Sequence, residues 1–224
     1  MDIKLLHRIL DLVITPDMRE VVNNPKEGRG ENRTAEEKDL LDSFSSNQFL
    51  SKLNLIDHIE SLNFLNKDSE IVIMGSWYGS ILIPAFYDKV KKITCIDVDS
   101  KVINRAKYEL FKEFDIDFIT GDVFEKYRDQ YTTSDLFINT SCEHMAPMKE
   151  WGPWPKYKNP WWSRVSPAYF AFQSNAMFDI PTHTNCVWTI DEFKEQLPAN
   201  AEVLIEDEIP DERGTRFTLI GKIT

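Results

Sequence analysis

The segment Glu70-Ile-Val-Ile-Met-Gly-Ser-Trp-Tyr-Gly-Ser80, followed by Ile93-Thr-Cys-Ile-Asp-Val-Asp99, constrains the fold of this chain more than any other feature. An apolar run ends in a Gly-x-x-x-Gly turn, a helix-length stretch follows, and a second apolar run ends in an acid. That order describes a strand, a tight turn, a helix and a second parallel strand with Asp97 at its carboxyl end. In a doubly wound α/β fold this is where an adenosine-containing cofactor lies, with backbone at the glycine turn and ribose hydroxyls on the acid.

The alternation continues. Strand 70–74 leads to helix 79–89, strand 92–97 to helix 100–113, and strand 116–119 to a short helix after Asp122. Strand 134–139, a long connection, strand 168–174 and a helix over Ile190–Leu197 with Asp191 and Glu192 in its first turn precede strand 202–208. A last strand over 214–223 follows a turn holding Pro210, Asp211 and Gly214. Seven strands alternating with helices imply a largely parallel, doubly wound sheet, and the closing hairpin must place one antiparallel strand in it. Upstream, residues 2–14 read as an amphipathic helix, 23–33 as a polar loop, and Thr34-Ala-Glu-Glu37 as a capping box starting a helix near Ala35. Helical periodicity then runs to about Leu65, so the expected organisation is a helical cap over 1–66 and a Rossmann-like domain over 67–224. Apolar residues of the cap face either the sheet or a second copy of the chain, which leaves a homo-oligomer through these helices open.

At 224 residues the chain suits one domain with a full core, and a formal net charge of -11 disfavours a phosphate-rich partner such as nucleic acid. Cys95, Cys142 and Cys186 are widely spaced, which fits a reducing cytoplasm rather than a disulfide framework. Met1-Asp-Ile-Lys does not begin as a signal peptide, and the stretch from Ile71 to Phe86 is too short and interrupted to span a bilayer. Abundant Lys, Asn, Ile and Asp with few Gly suggest an AT-rich genome, of a phage or a low-GC bacterium, hence a bacterial or host cytoplasm. No metal site is expected, because Asp and His do not cluster at ligand spacing.

The glycine turn discriminates between cofactors. Aligned to the G-x-G-x-x-G of nicotinamide proteins, Gly75 matches but Trp77 and Ser80 do not; aligned to a looser G-x-G-x-G, Gly75 and Gly79 match and only Trp77 departs. With the antiparallel seventh strand, residues 47–224 resemble the class I S-adenosylmethionine-dependent methyltransferases. The resemblance implies that Gly75, Trp77 and Gly79 form the turn at the methionine end, and that Asp97 accepts hydrogen bonds from both ribose hydroxyls. It also implies that Asp122, in Gly121-Asp122-Val123, takes the adenine amino group, and that Asn139, at the end of the fourth strand, lies close to the sulfonium methyl. Ile73 stands where the family has an acid for the ammonium group, a second departure. Asp122 with Glu125 also reads as a helix N-cap, and Asp99 is a weaker alternative to Asp97.

Two regions bear on the acceptor. Residues 146–167 carry four of the six tryptophans, Trp151, Trp154, Trp161 and Trp162, with five prolines. Indoles on a stiffened loop beside the transferable methyl make an acceptor pocket or lid, and equally a plug over the sheet edge or a partner surface. His144 follows the fourth strand and His183 the fifth; either could deprotonate a hydroxyl or amine, with Glu143 to orient or replace His144. The leading expectation is methyl transfer from S-adenosylmethionine to a small-molecule oxygen or nitrogen. A methyltransferase-like scaffold that has lost cofactor binding, such as a virion component, and a nucleic-acid methyltransferase stay open.

Overall fold

The computed structural model describes Ile9 and residues 34–123, 134–150 and 167–224. The expected helix over 2–14 (Ile9 apart), the loop 23–33, the helix after Asp122 and most of the Trp/Pro-rich insert lie outside the described residues.

Hydrophobic alternation builds one seven-stranded sheet. Its strands are β1 (Glu70–Met74), β2 (Lys92–Asp97), β3 (Asp117–Thr120), β4 (Leu136–Asn139), β5 (Ala168–Asn175), β6 (Ala201–Ile209) and β7 (Arg216–Ile223). In β1, Ile71 and Ile73 face one core cluster while Val72 and Met74 face another, and β4 repeats this with Leu136 and Ile138 against Phe137. Strands buried on both faces are what a parallel sheet under two helical layers requires. The order is β3-β2-β1-β4-β5-β7-β6, with β1 to β5 parallel and β7 antiparallel to both neighbours. Chain order reverses between β1 and β4, so the carboxyl ends of those strands flank the place where a doubly wound sheet opens for a ligand. At the far edge β6 alternates half-buried and exposed residues and bears Glu202, Glu206 and Glu208. Charged side chains on an edge strand oppose pairing with another sheet.

The helices are shorter than their periodicity predicts. The expected start at Thr34 holds: its hydroxyl accepts from Glu37 N at 3.2 Å while Glu37 Oε2 accepts from Thr34 N at 2.8 Å. The resulting α1 (Ala35–Asp42) breaks at Ser43, whose buried hydroxyl donates to Leu40 O at 2.6 Å, and the chain resumes as α2 (Ser46–Ser61). Leu55, Ile56 and Ile59 of α2 join the core cluster of Ile71, Ala171 and Ile220, so this face of the cap is spent on the sheet. The predicted 79–89 helix shrinks to α3 (Leu82–Phe86), because Gly79 N donating to Ser76 O at 2.8 Å holds the preceding residues in the turn. The next helix is α4 (Ser100–Arg105), then a wider π-turn over Ala106–Leu110 closed by Phe111 N to Ala106 O at 2.8 Å. The last is α5 (Ile190–Lys194), capped by Thr189. Among the described residues no helix is long and apolar enough to cross a membrane.

Candidate active site

Beyond the carboxyl ends of β1, β2 and β4 lies a crevice of about 780 Å³. It runs from Asp97, Gly121 and Asp122, past the Gly75-Ser76-Trp77 turn, to Glu143, His144 and His183, and Asp39, Asp42 and Lys52 close it from the cap.

At the first end the turn is built around one carboxylate. Asp97 Oδ2 accepts from Trp77 N at 2.8 Å and Oδ1 from Asp99 N at 3.0 Å, leaving each oxygen a further lone pair. Its backbone carbonyl also holds Gly121 N at 2.8 Å, bringing the β3 turn alongside. Gly75 has φ +58, and a Cβ on it would fall 2.7 Å from Met145 Cε. Trp77 has φ +48, so the departing residue keeps the left-handed backbone for which glycine is the usual choice. Its indole turns to the cap, where Nε1 donates to Asp39 Oδ2 at 3.1 Å beside the Tyr78 hydroxyl at 2.7 Å from the same oxygen. Burial and the Asp39 charge together push the Tyr78 phenol far above its ordinary value. Asp99 is accounted for otherwise: it caps α4, accepting from Lys101 N at 2.8 Å.

At the other end the loops after β4 and β5 are laced together. Glu143 O accepts from Thr184 N at 2.9 Å and Asn185 N at 2.8 Å. The His144 and His183 rings meet edge-on with centroids 4.6 Å apart. His144 Nδ1 lies 3.0 Å from Thr182 O, which can only accept, so Nδ1 carries the proton and Nε2 the lone pair. His183 Nδ1 lies 3.2 Å from Asn175 Oδ1, which also takes Met177 N at 2.9 Å, fixing the same tautomer. Burial, then the neighbouring His144, holds His183 below its usual value. Glu143 is 4 % exposed; burial raises its carboxyl, with the Arg216 charge opposing. Its Oε2 has no hydrogen-bond partner among the described residues.

The structure therefore brings Gly75, Trp77, Asp97, Asp122, Glu143, His144 and His183 to one crevice. It does not bring Asn139 or Gly79 there. Asn139 is fully buried, its Oδ1 accepting from Ser141 N at 2.8 Å and its amide directed to Met145 Sδ at 3.2 Å, so it shapes the loop. Gly79, at φ +65, leaves room for Ile83, whose Cδ1 would lie 2.5 Å from an added Cβ. Trp151, Trp154, Trp161 and Trp162 lie outside the described residues. Sequence reasoning missed Asp39, Asp42, Lys52 and Arg216. For Arg216 there was a signal: a cation at the start of the last strand's apolar run, on a strand that pairs with the polar end Gln173-Ser174-Asn175 of β5. Lys52 carried none; burial, then the Arg216 charge, lowers its ammonium to about 7.

No protein-family model matches the chain, and no curated protein matches it by sequence. Solved structures do match. Magnesium protoporphyrin IX methyltransferase from Synechocystis, with bound S-adenosylmethionine, is 12 % identical at TM-score 0.58 over 100 % of this chain and 98 % of that one. An S-adenosylmethionine-dependent methyltransferase from Clostridium acetobutylicum is 10 % identical at TM-score 0.57, over 76 % and 89 %. The N-methyltransferase NodS from Bradyrhizobium japonicum is 14 % identical at TM-score 0.53, over 80 % and 96 %. With the strand order and the antiparallel seventh strand, these matches show a class I methyltransferase fold.

Proposed function

We propose that the protein is an S-adenosylmethionine-dependent methyltransferase acting on a small-molecule oxygen or nitrogen. The observation that carries this reading is one crevice at the topological switch point, with the Asp97 carboxylate at one end and two histidines at the other. The residues fit the cofactor: Gly75 leaves a hollow that a Cβ would fill, and Asp97 keeps lone pairs for ribose hydroxyls. Asp122, on the adjoining turn, serves the adenine. Ile73, 1 % exposed within the core, offers the methionine end nothing; Asp42, entering from the cap, is the acid that takes its place.

When bound, the cofactor supplies an electrophilic methyl group whose transfer is driven by its own chemistry. The protein's share is alignment and proton management. Asp97, its oxygens fixed by two backbone N–H groups, orients the nucleoside without rearranging. The His144 and His183 imidazoles, each with Nδ1 bonded to an oxygen, present a basic Nε2 that can take the acceptor's proton. A net charge of -11 favours a small acceptor over nucleic acid. The indole of Trp77 beside the crevice supports the competing reading of a scaffold without cofactor.

S-adenosylhomocysteine separates the two. At one hundred times its dissociation constant it should stabilise the fold by about 2.7 kcal/mol. Absence of stabilisation at millimolar ligand would favour the scaffold.

A further inference from the structure

The fold brings together what sequence spacing keeps apart. Although His183 lies 39 residues beyond His144, Glu143, His144 and His183 each offer one ligand atom within 4.8 Å of the others. We propose that these three side chains form a binding site for a divalent transition cation, with open positions facing the acceptor end of the crevice. The inference deepens the methyltransferase reading, on which only its catalytic consequence rests.

Three observations support it. First, both imidazoles are in the tautomer that a metal ligand needs. His144 Nδ1 donates to Thr182 O at 3.0 Å and His183 Nδ1 to Asn175 Oδ1 at 3.2 Å, leaving Nε2 lone pairs. Hydrogen bonds from the opposite ring nitrogen to a carbonyl or amide oxygen are the outer contacts that orient ligating histidines. Second, Glu143 is 4 % exposed, yet its Oε2 has no partner among the described residues. A buried carboxylate oxygen left unsatisfied is costly, and a cation supplies the missing interaction. Third, the donor set is selective. Two imidazoles and one carboxylate match three-ligand catalytic sites that keep a coordination position open, and suit zinc, cobalt, iron or manganese better than calcium.

The separations allow it. His144 Nε2 stands 4.0 Å from Glu143 Oε1. Two ligands held at about 2.1 Å from one ion lie up to roughly 4.2 Å apart, so small side-chain rotations complete the set. His144 is the most exposed of the three and the freest to turn. Arg216 and Lys52 both act on Glu143 electrostatically and compete with a cation for it.

The consequence concerns the acceptor. A hydroxyl oxygen in an open position would be made more acidic by the cation and would give its proton to solvent water, so that no imidazole base would be needed once both Nε2 lone pairs are engaged. The site then favours an oxygen nucleophile over an amine.

The test is titration of chelator-treated full-length protein with Co(II), read by its visible absorption, and with Zn(II), read by calorimetry. The expected result is one equivalent bound, Zn(II) displacing Co(II), with at least a tenfold loss of affinity in Glu143→Gln, His144→Ala and His183→Ala. Asn175→Ala, which removes the oxygen that accepts from both His183 Nδ1 and Met177 N, should weaken binding about tenfold or more while leaving all three ligands in place, with folding checked by circular dichroism. Binding that is absent in the wild type, or unchanged by these substitutions, overturns the proposal. S-adenosylhomocysteine binding to the metal-free protein is measured alongside. Its presence without metal binding rejects the cation alone; its absence with metal binding rejects the cofactor reading and leaves the cation site standing.

Discussion

Gly75 and Gly79 belong to one turn and both take left-handed backbone, at φ +58 and +65, yet their replacement by alanine should have different consequences. A left-handed L-residue costs about 1–2 kcal/mol, and the stiffer unfolded chain returns roughly 0.4–1 kcal/mol. For Gly75→Ala the added Cβ meets Met145 Cε at 2.7 Å and Ser141 Cβ at 3.6 Å. The first is the far end of a flexible side chain in the crevice wall, which can move into the crevice. The net cost is then about 1 kcal/mol of stability, or roughly 2–4 °C in Tm for a chain of this size. The displaced methyl and the new Cβ should lower S-adenosylhomocysteine affinity at least tenfold. For Gly79→Ala the Cβ meets Ile83 Cδ1 at 2.5 Å and Cγ1 at 2.9 Å, inside the core. Overpacking adds about 1–3 kcal/mol to the backbone strain, a total near 2–4 kcal/mol, while affinity of the remaining folded protein changes little. Urea denaturation and calorimetric titration measure the two effects separately. Equal loss of affinity in both variants, or greater instability in Gly75→Ala, would refute this division of roles.

Three other outcomes are expected. Asp39→Ala should remove two hydrogen bonds to a charged oxygen, those of Trp77 Nε1 and the Tyr78 hydroxyl, at roughly 1.5–3 kcal/mol each, visible in denaturation and in changed tryptophan emission. Burial alone would raise the Asp207 carboxyl, but hydrogen bonds from His58 and Asn54 outweigh it and hold it below the ordinary value. The stabilisation from Asp207 should therefore be present above about pH 4 and fade as pH falls through the depressed folded value, an acid limb that Asp207→Asn flattens in pH-dependent denaturation. Lys52 gives a slope of the same sign at higher pH: its folded value near 7 lies below the unfolded one of 10.5, so the unfolded chain binds more protons between them. Stability should climb with pH across that window, and Lys52→Met should remove the slope.

Strands were legible wherever both faces of the sheet are buried, because continuous runs such as Ile71–Met74 and Leu136–Ile138 have little else to form. The antiparallel end followed from the turn at Pro210–Gly214. Helix lengths were not legible, since side-chain bonding at Ser43 and the hydrogen-bonded turn ending at Gly79 both interrupt apolar periodicity without altering it. Asp97 could be placed from the sequence because a strand end fixes its position. The direction of Asn139 could not, because it depends on the loop that folds back over it through Ser141 and Met145. The meeting of His144 with His183, and of Lys52 and Arg216 with Glu143, arises only when β4, β5, β7 and α2 are assembled, and no local pattern encodes it.

Calorimetric titration of S-adenosylhomocysteine into the wild type and Asp97→Ala tests the central claim most directly. Asp97 gripping a nucleoside predicts saturable one-to-one binding to the wild type that weakens at least tenfold in the variant, whose folding is checked by circular dichroism. No binding to the wild type at millimolar ligand, or equal binding to a folded Asp97→Ala protein, would contradict it.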